Sequence, residues 1–171
     1  VYHIEVMSKS KWILTIAFAA TLITVPAVVF ANANKVTVIP YVAPASVPLN
    51  ADVIFAKVNE QRVQNGLKPL VRDARLDASA KAKADDMRTF TYNKHINPTT
   101  GKNGYTYVFD YAPGLCAYAS ENLSWDYQAE NAVVDGWMGS KPHHDAILDP
   151  SYTISGLAVS GNKVVQHFCR Q

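Results

Sequence analysis

The chain reads as an α+β domain behind an apolar leader, and three observations carry that reading. Apolar side chains recur at helical spacing in two stretches before residue 91 and again between Tyr127 and Gly139. The C-terminal stretch reads as a β-hairpin, with Gly156–Ser160 and Lys163–Cys169 joined by a two-residue turn at Gly161-Asn162. Helices first, then a late antiparallel pair, argue for α+β rather than a doubly wound sheet.

The leader comes first. Lys9 and Lys11 precede an apolar run from Trp12 to Phe30 that closes on Ala31-Asn32-Ala33. A basic start, an apolar core and a small-x-small ending are the parts of a secretory signal over residues 1–33, cut after Ala33. The run is also long enough to span a bilayer, so an uncleaved anchor is the alternative. Either way the domain is expected outside the cytoplasm, and membrane contact only through this segment if it is uncleaved. Met7 opens the more ordinary signal, which makes residues 1–6 an upstream extension. Pro40, Pro44 and Pro48 then mark residues 34–49 as an extended linker.

The domain occupies residues 50–171. Asn50 is placed to cap the first helix, with Leu49 stapling onto Ile54 and Phe55 and Val58 on the buried face. Gly66 ends it in the left-handed conformation, and Pro69 prevents continuation. A second helix is expected over 74–90, capped by Asp73. Leu76, Ala80, Ala84 and Met87 share its buried face, with the lysines and the Asp85-Asp86 pair on the solvated side. Tyr105–Tyr111 reads as a strand or an aromatic-lined loop packed on the core. The third helix is expected over 127–139, aligning Ala129, Val133 and Trp137.

Composition narrows the function. The 171 residues are 49% hydrophobic and 18% charged, as in an ordinary globular protein. Setting aside Lys9, Lys11 and Glu5 of the leader leaves 14 basic and 13 acidic residues. That near-balance, without a basic patch, excludes a nucleic-acid footprint. No Gly-x-Ser-x-Gly elbow and no phosphate-cradling glycine loop occurs. The two cysteines, Cys116 and Cys169, lie in no thiol-nucleophile word. An oxidising compartment favours their pairing as a disulfide, with two buried thiols as the alternative.

His95, Glu121 and His143 are the residues that can carry chemistry. Two imidazoles and a carboxylate can hold a divalent cation such as zinc or move protons near neutral pH, although no local spacing brings the three together. Their surrounding words are more telling: Asn59-Glu-Gln-Arg62, Gly66-Leu-Lys-Pro-Leu70, His95-Ile-Asn-Pro98, Glu121-Asn-Leu123, and Ser140-Lys-Pro-His-His-Asp-Ala-Ile-Leu148 followed by Asp-Pro150 and Tyr152. In this order they resemble the bacterial branch of the CAP superfamily, the cysteine-rich secretory, antigen 5 and pathogenesis-related proteins.

The resemblance implies a three-layer α-β-α sandwich with a small antiparallel sheet between helical layers. It also implies a surface cleft gathering His95, Glu121 and His143 as candidate metal ligands. Four residues depart from the pattern: Ser120 and Pro142 replace glycines, His144 replaces an arginine, and Ser140 stands where many eukaryotic members carry a second cleft glutamate. With one carboxylate fewer, any metal is expected to be held less tightly, unless Asp145 compensates. His144 is expected to point outward. The function implied is a secreted binding module for a divalent metal, a lipid, a partner protein or another cell-envelope component. The alternative is a zinc-dependent hydrolase or peptidase with Glu121 as its general base and sole catalytic candidate. Alternation puts His167 on the strand face of Val165 and Cys169, with no catalytic role assigned. The sequon Asn122-Leu-Ser124 reads as an accidental match.

Overall fold

The computed structural model describes residues 48–171 and three strands ahead of them, β1 (Ile13–Ile16), β2 (Ala27–Asn32) and β3 (Lys35–Ile39). The chain divides into two compact units, 1–46 and 47–171. In the first, β1, β2 and β3 form an antiparallel sheet in that order. Most of the expected signal segment and linker lies outside the described residues. No helix among the described residues is long and apolar enough to cross a membrane.

The second unit begins with α1 (Ala51–Gln64), β4 (Val71–Arg72) and α2 (Ala74–Thr89). Then come α3 (Thr106–Tyr111), β5 (Tyr118–Trp125), α4 (Glu130–Met138) and α5 (Lys141–Leu148). It closes with β6 (Ile154–Ser160) and β7 (Lys163–Arg170). The sheet order is β4-β6-β7-β5. The short β4 pairs parallel with β6, so the sheet is mixed at one edge, and the remaining pairs are antiparallel.

Strand alternation divides the core into layers. Leu157, Val164 and Phe168 face one way and pack with α1, α4 and α5 through Ile54, Val58, Val133, Trp137 and Ile147. Leu123, Ala158 and Val165 face the other way, against Ala80, Ala84 and Met87 of α2. Ala119, Ile154 and Cys169 continue that second face toward Leu76 of α2 and Val108 of α3. This is the α-β-α sandwich.

Local chemistry sets the boundaries. The Asn50 side chain accepts from the backbone N–H groups of Asp52 and Val53, satisfying two donors that a helix start leaves free. Gly66, at φ +76°, ends α1 as expected. Buried Arg62 donates to the carbonyls of Lys68, Ile147, Asp149 and Tyr152, tying α1 to the end of α5 and the approach to β6. Asn59 holds both backbone groups of Leu70. The first two sequence words are therefore structural. At Gly156 a Cβ would lie 2.1 Å from the backbone of Leu76, so α2 sits closer to β6 than any side chain there would allow.

Four expectations are corrected. Tyr105–Tyr111 is neither strand nor loop, since Thr106–Tyr111 forms α3, burying Tyr107 and Val108. α4 starts at Glu130 rather than Tyr127, which leaves Ala129 as an exposed cap while Val133 and Trp137 pack inward. Lys83 is not on a solvated side: it is fully buried, because the loop after α2 folds back over it. Asp86 is also structural, accepting from the Tyr92 hydroxyl and the Asn97 amide.

The Cys116–Cys169 disulfide is present, with Cα atoms 5.4 Å apart, and joins the segment before β5 to the last strand. Pro142 falls in the first turn of α5, where a missing N–H costs no helical bond.

Candidate functional site

β5 is an edge strand, and the site is built around it. Glu121 points to the α2 face, while Asn122 points to the other and donates its amide to the carbonyl of His143 on α5. One strand thus addresses both halves of the site. Asn122 is only 1% exposed, which closes the sequon to a glycan.

Both carboxylate oxygens of Glu121 are engaged. Oε1 meets His95 Nδ1 at 2.7 Å, and Oε2 meets His167 Nε2 at 3.0 Å. The Glu121 side chain is 3% exposed, His167 is fully buried, and His95 is half open to solvent at 52%. Burial alone would raise the Glu121 pKa. Hydrogen bonds from His167 and His95, with the charges of His167 and Lys83, outweigh it and hold the carboxyl below its ordinary range. Glu121 is therefore a buried carboxylate.

His167 Nδ1 lies 2.7 Å from the hydroxyl of Ser79, which donates to the carbonyl of Leu76 at 2.9 Å. A serine hydroxyl has one proton. With that proton on Leu76, the Ser79 oxygen offers its lone pairs to Nδ1, and the ring bridges Ser79 and the Glu121 carboxylate inside the sheet layer.

The His95 loop is fixed from below. Lys83 Nζ donates to the carbonyls of Lys94 and His95 and to the Tyr92 hydroxyl, and burial lowers its pKa. The His95 carbonyl also accepts from Gly104 N–H at 2.8 Å. Asn97 is buried and accepts from the N–H groups of Thr99 and Thr100, which explains its place in the histidine word. A Cβ on Gly104 would lie 2.1 Å from both carboxylate oxygens of Glu121, so only glycine fits there.

His143 approaches from α5. Burial, and then the neighbouring charge of His95, lower its pKa and favour the neutral ring. It lines a cleft of about 340 Å³ together with Ser124, Trp125, Tyr127, Trp137 and Ser140. His144 turns outward to Asp145, which Lys141 also holds.

Of the three expected residues, the structure hydrogen-bonds His95 to Glu121 and sets His143 on the opposite flank of β5 as an electrostatic neighbour of His95. Among the described residues no three His, Cys, Asp or Glu side chains stand grouped to hold a metal ion. The sequence reading missed His167, Lys83, Ser79 and Gly104. Strand alternation had put His167 on the correct face, but its role needed the register that sets Glu121 opposite it.

Comparison with known proteins agrees with this architecture. The profile of the cysteine-rich secretory protein family, CAP, matches residues 55–169. The YkwD protein of Bacillus subtilis is 34% identical over 131 residues, which are 74% of this chain and 49% of that protein. The chain thus spans about half the length of that relative. An extracellular protein with an SCP domain from Bacillus anthracis superposes with a TM-score of 0.66 at 26% identity, over 71% of this chain and 40% of that one. An outer surface protein of Borrelia burgdorferi shares the fold with a TM-score of 0.64 at 18% identity, over 70% and 91% of the two chains. With the sandwich, the sequence words and the profile in agreement, the chain belongs to the CAP family of cysteine-rich secretory proteins.

Proposed function

We propose that this CAP domain works outside the cell as a binding module whose cleft offers two imidazoles, His95 and His143, to a divalent cation such as zinc. The observation that carries this reading is the engagement of both Glu121 oxygens. A general base must present a basic lone pair to water. Glu121 has its two oxygens on imidazoles and a pKa below the ordinary carboxylate range.

Two imidazoles without a grouped third ligand would hold a cation only weakly. His95 commits Nδ1 to Glu121, which leaves Nε2 of this half-exposed ring as its other nitrogen for a ligand. A carboxylate behind a histidine fixes its tautomer and raises its basicity as a ligand. We therefore assign Glu121 to orienting His95 rather than to ligation. His143, with its pKa lowered, is already in the neutral form that a metal requires. Bound zinc would supply a Lewis-acidic anchor for an oxygen or nitrogen of a ligand.

Placement outside the cell is supported by the disulfide, which belongs to oxidising compartments. The basic-apolar leader and the extracellular and outer-surface relatives support it too. Secreted protein is expected to begin near Asn34 by N-terminal sequencing.

A peptide-cleavage assay tests the binding reading. Wild type is expected to leave a mixed peptide library intact, with zinc or with chelator. Zinc-dependent cleavage that disappears in Glu121→Gln, while zinc still binds, would overturn it in favour of a hydrolase.

A further inference from the structure

The cleft beside His143 has a composition of its own. Trp125 and Tyr127 stand at its rim, 39% and 38% exposed. Trp137 closes the wall with its ring, because its indole N–H is spent on the carbonyl of Leu123 at 2.9 Å. None of the lining residues is an Asp, Glu, Lys or Arg. Ser124 lies on the β5 face that turns toward α4 and is only 4% exposed. Its hydroxyl has no hydrogen-bond partner among the described residues. Buried hydroxyls are rarely left so, and each one needs an explanation.

These features restrict the occupant. A purely aliphatic ligand would leave the Ser124 hydroxyl as unpartnered as it is without one. A carboxylate or ammonium group would lose its hydration and meet no Asp, Glu, Lys or Arg in the lining to replace it. What fits is an uncharged ring with an apolar face for the aromatics and a polar edge for Ser124 and His143. A pyranose has that geometry: axial C–H groups on one face and hydroxyls around the rim. We propose that this cleft binds a neutral sugar residue of a glycan, its C–H face on Trp125 and Tyr127 and a hydroxyl on Ser124. The inference names a ligand class for the binding role proposed above and rests on that role.

Triacetylchitotriose and cellotriose are the probes, titrated calorimetrically into the full chain in the presence of EDTA. Tryptophan emission gives a second readout, since Trp125 and Trp137 are two of the three tryptophans. At least one trisaccharide is expected to bind saturably without metal. Ser124→Ala and Trp125→Ala are each expected to weaken it about tenfold, the scale of one lost hydrogen bond or stacking contact. Phe109→Ala, an exposed aromatic on α3, is expected to change nothing. His95→Ala is expected to reduce zinc binding and leave sugar binding intact, which separates failure of the sugar assignment from failure of the metal reading. Saturable binding of neither sugar would overturn the proposal. So would sugar binding unchanged in both the Ser124 and Trp125 variants. Binding of palmitate or of neutral peptides in place of the sugars would also overturn it and assign the cleft to that chemistry.

Discussion

Glu121 and His167 face each other as directly paired residues of β5 and β7, with Nε2 3.0 Å from Oε2 and neither side chain more than 3% exposed. A buried pair of this kind costs desolvation of both groups, which their attraction offsets only when every remaining polar atom is matched. Here the match is made by Ser79 behind His167 and by His95 in front of Glu121. The same carboxylate thus belongs to the core and to the cleft.

Removing one partner leaves the other buried and unmatched. His167→Ala is expected to destabilise the domain by about 3 kcal/mol or more. It should also weaken zinc binding, although His167 is too buried to touch the cation. Urea unfolding and zinc calorimetry on the same variant check both. An effect on stability below about 0.5 kcal/mol, the range of ordinary surface changes, would refute the pair.

Gly104→Ala places a methyl group 2.1 Å from both Glu121 oxygens. The loop carrying His95 must then move, because Gly104 N–H also holds the His95 carbonyl. The expected cost is about 1–3 kcal/mol of stability, the usual range for overpacking. Zinc affinity should fall about tenfold or more, as when an orienting partner is lost. Wild-type affinity in this variant would contradict the geometry.

Acid should unfold the metal-free protein through Glu121. Its folded-state pKa is lowered, so its contribution is fully present above the unfolded carboxylate value of about 4.3. That contribution is lost as pH falls through the folded value. His143, also lowered, adds a loss that begins nearer the ordinary histidine value of about 6.5, since the unfolded chain takes up that proton first. Denaturation midpoints measured from pH 7.5 to pH 3 should fall in those two windows. Glu121→Gln should shrink the lower loss, to which the lowered carboxyls of Asp73 and Asp85 also contribute, and retain the upper.

The Cys116–Cys169 bridge closes a loop of sequence separation 53. Constraining the unfolded chain over that length contributes about 4 kcal/mol in the chain-entropy model. Reduced protein, or the Cys116→Ala/Cys169→Ala variant, should unfold at markedly lower urea. Two alkylatable thiols in unreduced folded protein would refute the bridge.

What the sequence revealed follows from how local each signal is. The start and stop of α1 depend on Asn50 and Gly66, residues within a turn of the helix they bound, and both were legible. Leu76, Ala80, Ala84 and Met87 were legible for the same reason. Lys83 was not. α2 is covered by the sheet and also by the His95 loop, and nothing in its own spacing says that one lysine will meet three acceptors there. β5 was not legible as a strand, because Ser120, Glu121, Asn122 and Ser124 are polar residues wholly or partly buried by long-range pairing with β7. The family words located His95, Glu121 and His143. The register across β5 and β7 assigned Glu121 its buried partner, His167.

Calorimetric titration of zinc into wild type and into His95→Ala/His143→Ala at pH 7.5 asks whether the two imidazoles hold the cation. One equivalent is expected to bind wild type, weaken strongly at pH 5.5 as protons compete for imidazole, and fail to bind the double variant. Undiminished zinc binding in the double variant would mean that His95 and His143 do not form the site.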